Sequence, residues 1–244
     1  MKLYGRNPVI ERLKSNPQSI RKIYLQEGQG DSSYIREKAR KWGIPVFSVP
    51  RSKMIKVGKS INTQGVLVEI DDFSYVSYED LLSSSLEKNH SILFLDNLND
   101  PQNLGAIIRS AACLGGLAIV LPVHDSVEVT EAVLRVASGG DNYVAIAKVS
   151  NLVQAIASAK KSGYWIAGTT VQGGKNIMDT SLPFPLGLVI GSEHKGIREI
   201  IKKQLDLELT MPMAHAKISF NAAAAATIFC YEITRQKSQQ NQKS

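Results

Sequence analysis

From residue 91 onward the chain alternates short apolar runs with amphipathic stretches, and this alternation constrains the fold more than any other feature. Strand candidates lie at 91–98, 117–122, 142–149, 164–170, 186–191 and 207–211, and helix candidates at 101–114, 127–138, 150–162, 195–204 and from about 220 to 236. Parallel strands need crossover connections, and helical crossovers cover both faces of the sheet they join. The expected class is therefore α/β, a parallel sheet with helices on both faces.

The first part of the chain reads as a smaller α/β unit. Asn7-Pro8 opens a helix through Val9, Ile10 and Leu13, with proline early, where its missing N–H costs nothing. Ile20 to Gln26 reads as a strand, and Ser32 to Trp42 as a helix ended by Gly43. Pro45 to Pro50 and Gln64 to Ile70 read as further strands. Asp71-Asp72, the Ser83-Ser84-Ser85 run and one short helix suggest a connector. The expected organisation is a unit over 1–72, a connector over 73–90 and a larger domain over 91–244, ending in a polar, frayed tail.

Charge divides the chain in the same place. Residues 1–70 hold 14 Lys+Arg against 5 Asp+Glu (+9), whereas residues 71–244 hold 15 against 17 (−2), together the net +7. A basic excess confined to one module suits an anionic polymer, nucleic acid above all, although a solvated basic surface would look the same.

Several classes are not expected. No apolar run reaches the roughly 18 residues of a membrane helix, and the start lacks the apolar core of a signal peptide. Cys113 and Cys230 lie in apolar helical contexts and read as reduced core residues, which favours the cytoplasm. His90, His124, His194 and His215 lack partners at metal-ligand spacing, so no metal is expected. The stretch Gly168 to Asn176 resembles a phosphate loop. It carries one residue too many before Lys175, and Asn where a magnesium-binding hydroxyl belongs, so a glycine-rich turn is the better reading.

Three segments stand out as carriers of chemistry. In the first, Asn103, Gly105 and Arg109 open a helix just beyond a buried strand, at the sheet edge where α/β proteins bind ligands. Arg supplies a fork of donors that matches phosphate, though Asn103 would also suit a cap and Arg109 a solvated surface. The second runs from a buried strand into Gly191-Ser-Glu193-His-Lys-Gly196. Gly191 permits close backbone approach and Gly196 a tight turn; Glu193 could orient an Arg or simply favour a helix N-terminus. In the third, Met211-Pro212-Met213 leads to Ser219, Phe220 and Asn221 before five alanines. Ser and Asn are good helix caps, and the alanines make a slim face for close packing.

Taken together and in this order, the segments resemble the SpoU (TrmH-type) family of RNA 2′-O-ribose methyltransferases, within the SPOUT superfamily. Asn103, Gly105 and Arg109 match its Asn-x-Gly-x-x-x-Arg motif, Gly191, Glu193 and Gly196 its Gly-x-Glu-x-x-Gly motif, and Pro212, Met213, Ser219 and Asn221 its last motif. The N-terminal part resembles the small ribosomal-protein-like RNA-binding domain of several members, with Tyr4-Gly5 and Gln64-Gly65 fitting that pattern. The resemblance implies a C-terminal trefoil knot and a homodimer with its site at the subunit interface. It also implies S-adenosylmethionine as cofactor, held at Gly191, Met211, Phe220 and Thr169. Arg109, Asn103, Glu193, Ser219 and Asn221 are the implied catalytic residues. Ribosomal RNA of the large subunit is the first substrate expected, transfer RNA the second, and a non-catalytic RNA-binding protein the alternative from another class. Two positions depart from the family pattern: His215 stands in place of Gly, which restricts the loop, and Ala223 in place of Ser, which removes a hydrogen-bonding group.

Overall fold

The computed structural model describes residues 1–29, 32–58, 62–192, 195–214 and 218–241. Its first sheet is built from β1 (Lys2–Tyr4), α1 (Arg6–Ser15), β2 (Ile20–Gln26), α2 (Ser33–Lys41), β3 (Val46–Val49), α3 (Arg51–Val57) and β4 (Val66–Ile70). The strand order is β1-β4-β2-β3, with β2 parallel to β3 and antiparallel to β4. Strand β1 and helix α3 were not legible in the sequence, the former because three residues carry no measurable period.

The rest comprises α4 (Tyr78–Glu87), β5 (Ser91–Leu95), α5 (Pro101–Leu114), β6 (Leu117–Pro122), α6 (Glu131–Ala137), β7 (Ile146–Val149) and α7 (Leu152–Lys161). It continues through β8 (Trp165–Thr169), β9 (Lys175–Asn176), β10 (Leu186–Ile190), α8 (Glu199–Lys202), β11 (Leu207–Thr210) and α9 (Ala222–Asn241). Seven strands form one sheet in the order β7-β6-β5-β10-β8-β11-β9, and every pairing in it is parallel.

Alternate residues of the buried strands feed two cores. Leu93, Leu95, Ile119, Leu121, Leu188 and Ile190 pack with Ile107 and Ile108 of α5, Val133 and Leu134 of α6 and Phe229 and Ile233 of α9. Their neighbours Ile92, Phe94, Ala118, Val120 and Val189 pack with Tyr78 and Leu81 of α4, Ile156 of α7 and Ile201 of α8. This period-2 split is what a sheet covered on both faces requires.

Residues 73–90 do more than connect. Tyr78, Leu81 and Leu82 of α4 are buried against the sheet, and Ser77 caps the helix by accepting a hydrogen bond from the Asp80 N–H at 3.0 Å. Helix α8 covers only Glu199–Lys202 where 195–204 was expected. The backbone N–H of Arg198 is bound to Asp96, which holds residues before α8 in a loop. Cys113 is exposed rather than a core residue, while Cys230 is buried as expected; an apolar neighbourhood in sequence does not say which side of α5 meets α9.

The two sheets share apolar packing, since Leu3, Val9 and Leu13 belong to the same cluster as α5 and α6. Polar contacts pin the junction. Arg12 of α1 forms a buried ion pair with Asp141. The Lys2 backbone N–H donates to Glu131 at 2.6 Å, and the Arg135 guanidinium lies 5.6 Å from the Tyr4 ring centre. The β1 edge of the first sheet therefore faces α6.

Candidate active site

Strand β10 runs to Ile190 and stops at Gly191, whose position tolerates no side chain. A Cβ there would lie 2.2 Å from the carbonyl carbon of Gly196 and 2.4 Å from the Ile197 nitrogen. The close approach comes from a turn in which the Gly196 N–H donates to Ser192 O at 2.9 Å and Gly196 adopts φ of 65°, conformations glycine reaches without a Cβ penalty. Behind the turn stands Asp96, fully buried at the end of β5. It accepts from the Arg198 backbone N–H at 2.9 Å and Nε at 2.8 Å, while its own N–H donates to Ile190 O at 2.8 Å. Sequence reasoning missed this pair; the cue was a carboxylate ending an otherwise apolar strand.

Two further segments converge on the same place. Strand β11 lies between β8 and β9, so residues 170–174 bend around it, and Gly174 is so close that a Cβ would sit 2.9 Å from the Leu209 carbonyl carbon. The glycine-rich stretch is thus a wrapping turn. Beyond β11, Asn221 begins α9, its side-chain oxygen accepting from the Ala224 N–H at 2.7 Å.

Between these segments lies a cavity of about 320 Å³, at the carboxyl ends of β8, β10 and β11. Thr169, Gly191, Met211, Ser219 and Phe220 all line it. Five predicted site residues, far apart in sequence, thus meet around one space of ligand size. Lys195 and Lys202 add positive charge to the wall, and Met213 adds a further apolar side chain; none of the three had been named as a cofactor contact.

Of the other predicted site residues that are described, Asn103, Arg109 and Asn221 are not part of the cavity wall. Asn103 is buried in α5 and Arg109 is exposed on it, about 120° apart around the helix axis for six residues at about 100° each. Neither lines the cavity. Helix α5 opens with Asp100, which accepts from the Gln102 N–H at 2.8 Å, and Pro101. Gly105 serves packing: a Cβ there would lie 2.5 Å from Val136 Cβ, so α6 sits directly on it. Ser110 of α5 hydrogen-bonds Thr227 of α9 at 2.7 Å, whereas the Arg109 backbone lies against Gly140, where a Cβ would sit 3.1 Å from the Arg109 Cα. Ala223 is buried, where its small side chain suits the packed helix. Glu193 and His215 lie outside the described residues. Among the described residues no cluster of three or more His, Cys, Asp or Glu could hold a metal ion, and no helix is long and apolar enough to cross a membrane.

The profile of the SpoU rRNA Methylase family matches residues 90–231. The chain belongs to that family. A second profile, RNA 2′-O ribose methyltransferase substrate binding, matches residues 2–76. Among SpoU relatives, YacO of Bacillus subtilis (strain 168), assigned to the TrmH family of tRNA/rRNA methyltransferases, is 34% identical over 237 residues, covering 96% of this chain and 94% of that protein. The 23S rRNA (guanosine-2′-O-)-methyltransferase RlmB of Neisseria meningitidis serogroup B is 32% identical over 244 residues, covering 99% and 97%. In fold, the chain is similar to the SpoU methyltransferase AviRb of Streptomyces viridochromogenes, solved with AdoMet. The TM-score is 0.80 at 21% identity, covering 98% of this chain and 91% of that one.

Proposed function

We propose that this SpoU-family chain transfers a methyl group from S-adenosylmethionine to a ribose 2′-hydroxyl of structured RNA, ribosomal RNA of the large subunit being the first substrate. The observation that carries the reading is the convergence of Thr169, Gly191, Met211, Ser219 and Phe220 on one cavity. These residues fit the cofactor. The Gly191 turn brings bare backbone to the wall, Met211 and Phe220 offer apolar surface for a nucleoside, and Lys195 and Lys202 suit a carboxylate. When bound, the cofactor supplies an electrophilic methyl on a sulfonium.

The rest falls to the chain's own residues. For that methyl to be accepted, the ribose 2′-hydroxyl would have to be positioned and relieved of its proton. Arg109 acts as a fork of donors rather than as a base, gripping a target phosphate and stabilising charge that develops on the 2′ oxygen. The phosphate takes the proton. Ser219 and Asn221, at the mouth of α9, and Asn103 hold the ribose in reach of the methyl group, where near-attack geometry needs roughly 3–3.5 Å. Glu193 is assigned to orienting Arg109 or Asn103.

The domain division 1–72 and 91–244 with a connector at 73–90, a trefoil knot in the C-terminal part, a homodimer and a cytoplasmic location belong to the same proposal. The knot is supported by the course of β11 between β8 and β9. The dimer is supported by the apolar side chains Ile228 and Tyr231 on α9, exposed at 37% and 59%.

The test is methyl transfer by the full chain from methyl-labelled S-adenosylmethionine to unmodified large-subunit rRNA, with tRNA as a parallel arm, and mapping of the 2′-O-methyl position. Label at one rRNA ribose is expected. A folded protein that binds the cofactor yet labels neither RNA would overturn the reading.

A further inference from the structure

The first sheet has two unlike edges. Its β1 edge is turned toward the catalytic part, through Lys2 to Glu131 and Tyr4 to Arg135. Its β3 edge, at the other end of the strand order, carries the charge. Residues 33–57, which make α2, β3 and α3, hold Arg36, Lys38, Arg40, Lys41, Arg51, Lys53 and Lys56 against Glu37 alone, seven minus one or +6. That is most of the +9 of residues 1–70. Among the described residues none of the seven is in a salt bridge, and all but Lys38 are exposed. Arg36 is held over the edge strand by donating to Ser48 Oγ at 2.8 Å.

Aromatic surface accompanies the charge. Phe47, in β3, is 47% exposed and Trp42, after α2, is 48% exposed. The Phe47 ring lies 5.7 Å from that of Tyr24, its register partner on β2, inclined by 31°. Adjacent strand residues point to opposite faces. Phe47 therefore shares its face with Tyr24 and α3, while the α2 cations, with Arg36 on Ser48, flank the edge from the other face. A solvent-facing aromatic on an edge strand, with cations to either side of that edge, is poorly explained by stability. It matches what an unpaired nucleotide requires, a flat face for the base and cations for the flanking phosphates.

We propose that the β3 edge, with Phe47 and Tyr24 as the stacking surface and Arg36, Arg40, Lys41 and Arg51 as phosphate contacts, is where the N-terminal part binds an unpaired RNA segment. This rests on the RNA reading above and assigns the RNA a specific face. Because β1 faces the catalytic part, the RNA approaches from the far side of the module and must span it to reach Arg109.

The experiment measures binding of the full chain to a mixed-sequence single-stranded RNA oligonucleotide, to a blunt RNA duplex of the same length and to polyglutamate, by fluorescence anisotropy over a salt series. Phe47→Ala and Phe47→Leu should each weaken single-strand binding about tenfold or more, and Phe47→Tyr should retain it. The triple change Arg36→Gln, Arg40→Gln, Lys41→Gln should lower the slope of log affinity against log salt by about 2. Thermal melting should be unchanged in the Phe47→Tyr and charge variants, which alter exposed groups. Binding of all variants at wild-type strength would overturn the proposal and leave methyl transfer standing. Polyglutamate binding as tight as RNA would also overturn it, assigning the face to an acidic protein. A wild type that binds RNA with this dependence on Phe47 yet transfers no methyl group would support the face and overturn the methyltransferase reading.

Discussion

Asp96 and Arg198, 102 residues apart, are joined by two hydrogen bonds, one from the backbone N–H and one from Nε. Asp96 is fully buried while the Arg198 side chain is 43% exposed, so the carboxylate depends on the pair more than the guanidinium does. The pair fixes the loop whose Gly191–Gly196 turn walls the cavity. Asp96→Ala should cost about 2–3 kcal/mol in stability, from charged hydrogen bonds lost and a loop released, and weaken S-adenosylmethionine binding at least about tenfold. Urea denaturation and calorimetry read the two effects; cofactor affinity equal to wild type would remove Asp96 from any role in shaping the site.

Gly191→Ala tests the same wall from the other side. The clash is with backbone of Gly196 and Ile197, which cannot rotate away as a side chain can. Overpacking of this kind costs about 1–3 kcal/mol or more, and the turn should spring open. Cofactor binding should be lost under conditions where circular dichroism still reports a folded chain. An alanine variant with normal affinity would mean that the turn is not part of the cofactor wall.

Arg109 is exposed and among the described residues no ion pair holds it, so Arg109→Lys and Arg109→Ala should leave stability within about 0.5 kcal/mol. Methyl transfer should fall about 100-fold or more in kcat in both, because a point charge does not reproduce the guanidinium fork. Cofactor affinity should hold, since Arg109 does not line the cavity. Single-turnover kinetics with saturating RNA make the comparison, and near-normal turnover of the lysine variant would sink the assignment.

Cys230 sits in the packed face of α9, and burial pushes its thiol up to about 12. A thiol raised in this way stays protonated and unreactive in the native protein, since the thiolate is the nucleophile. Alkylation at pH 8 to 9, followed by peptide mass spectrometry, should leave Cys230 unmodified until denaturant is added, while exposed Cys113 reacts. Rapid native labelling of Cys230 would show that α9 opens readily.

Much of the fold was legible because it is written locally. Runs such as 92–95 and 188–190 are apolar throughout, and only a strand buried on both faces needs that, so the strands and most helices fall near their expected places. Three-residue β1 and two-residue β9 have no period to read. Helix α8 is shorter than its sequence suggests because a residue over a hundred positions away takes the Arg198 N–H.

The candidate site divides along the same line. By itself the sequence determined the element pattern, the basic N-terminal part and which glycines, polar residues and cations stand at the ends of strands, because spacing and residue type act over a few neighbours. Only the tertiary structure decided that Thr169, Gly191, Met211, Ser219 and Phe220 enclose one cavity, that Asn103 turns inward while Arg109 turns out, and that Gly105 makes room for α6 rather than for a ligand. Those outcomes depend on strand order and on which helix faces which. They are set by long-range burial and hydrogen bonding between Asp96 and Arg198, or between α5, α6 and α9, that no local window contains.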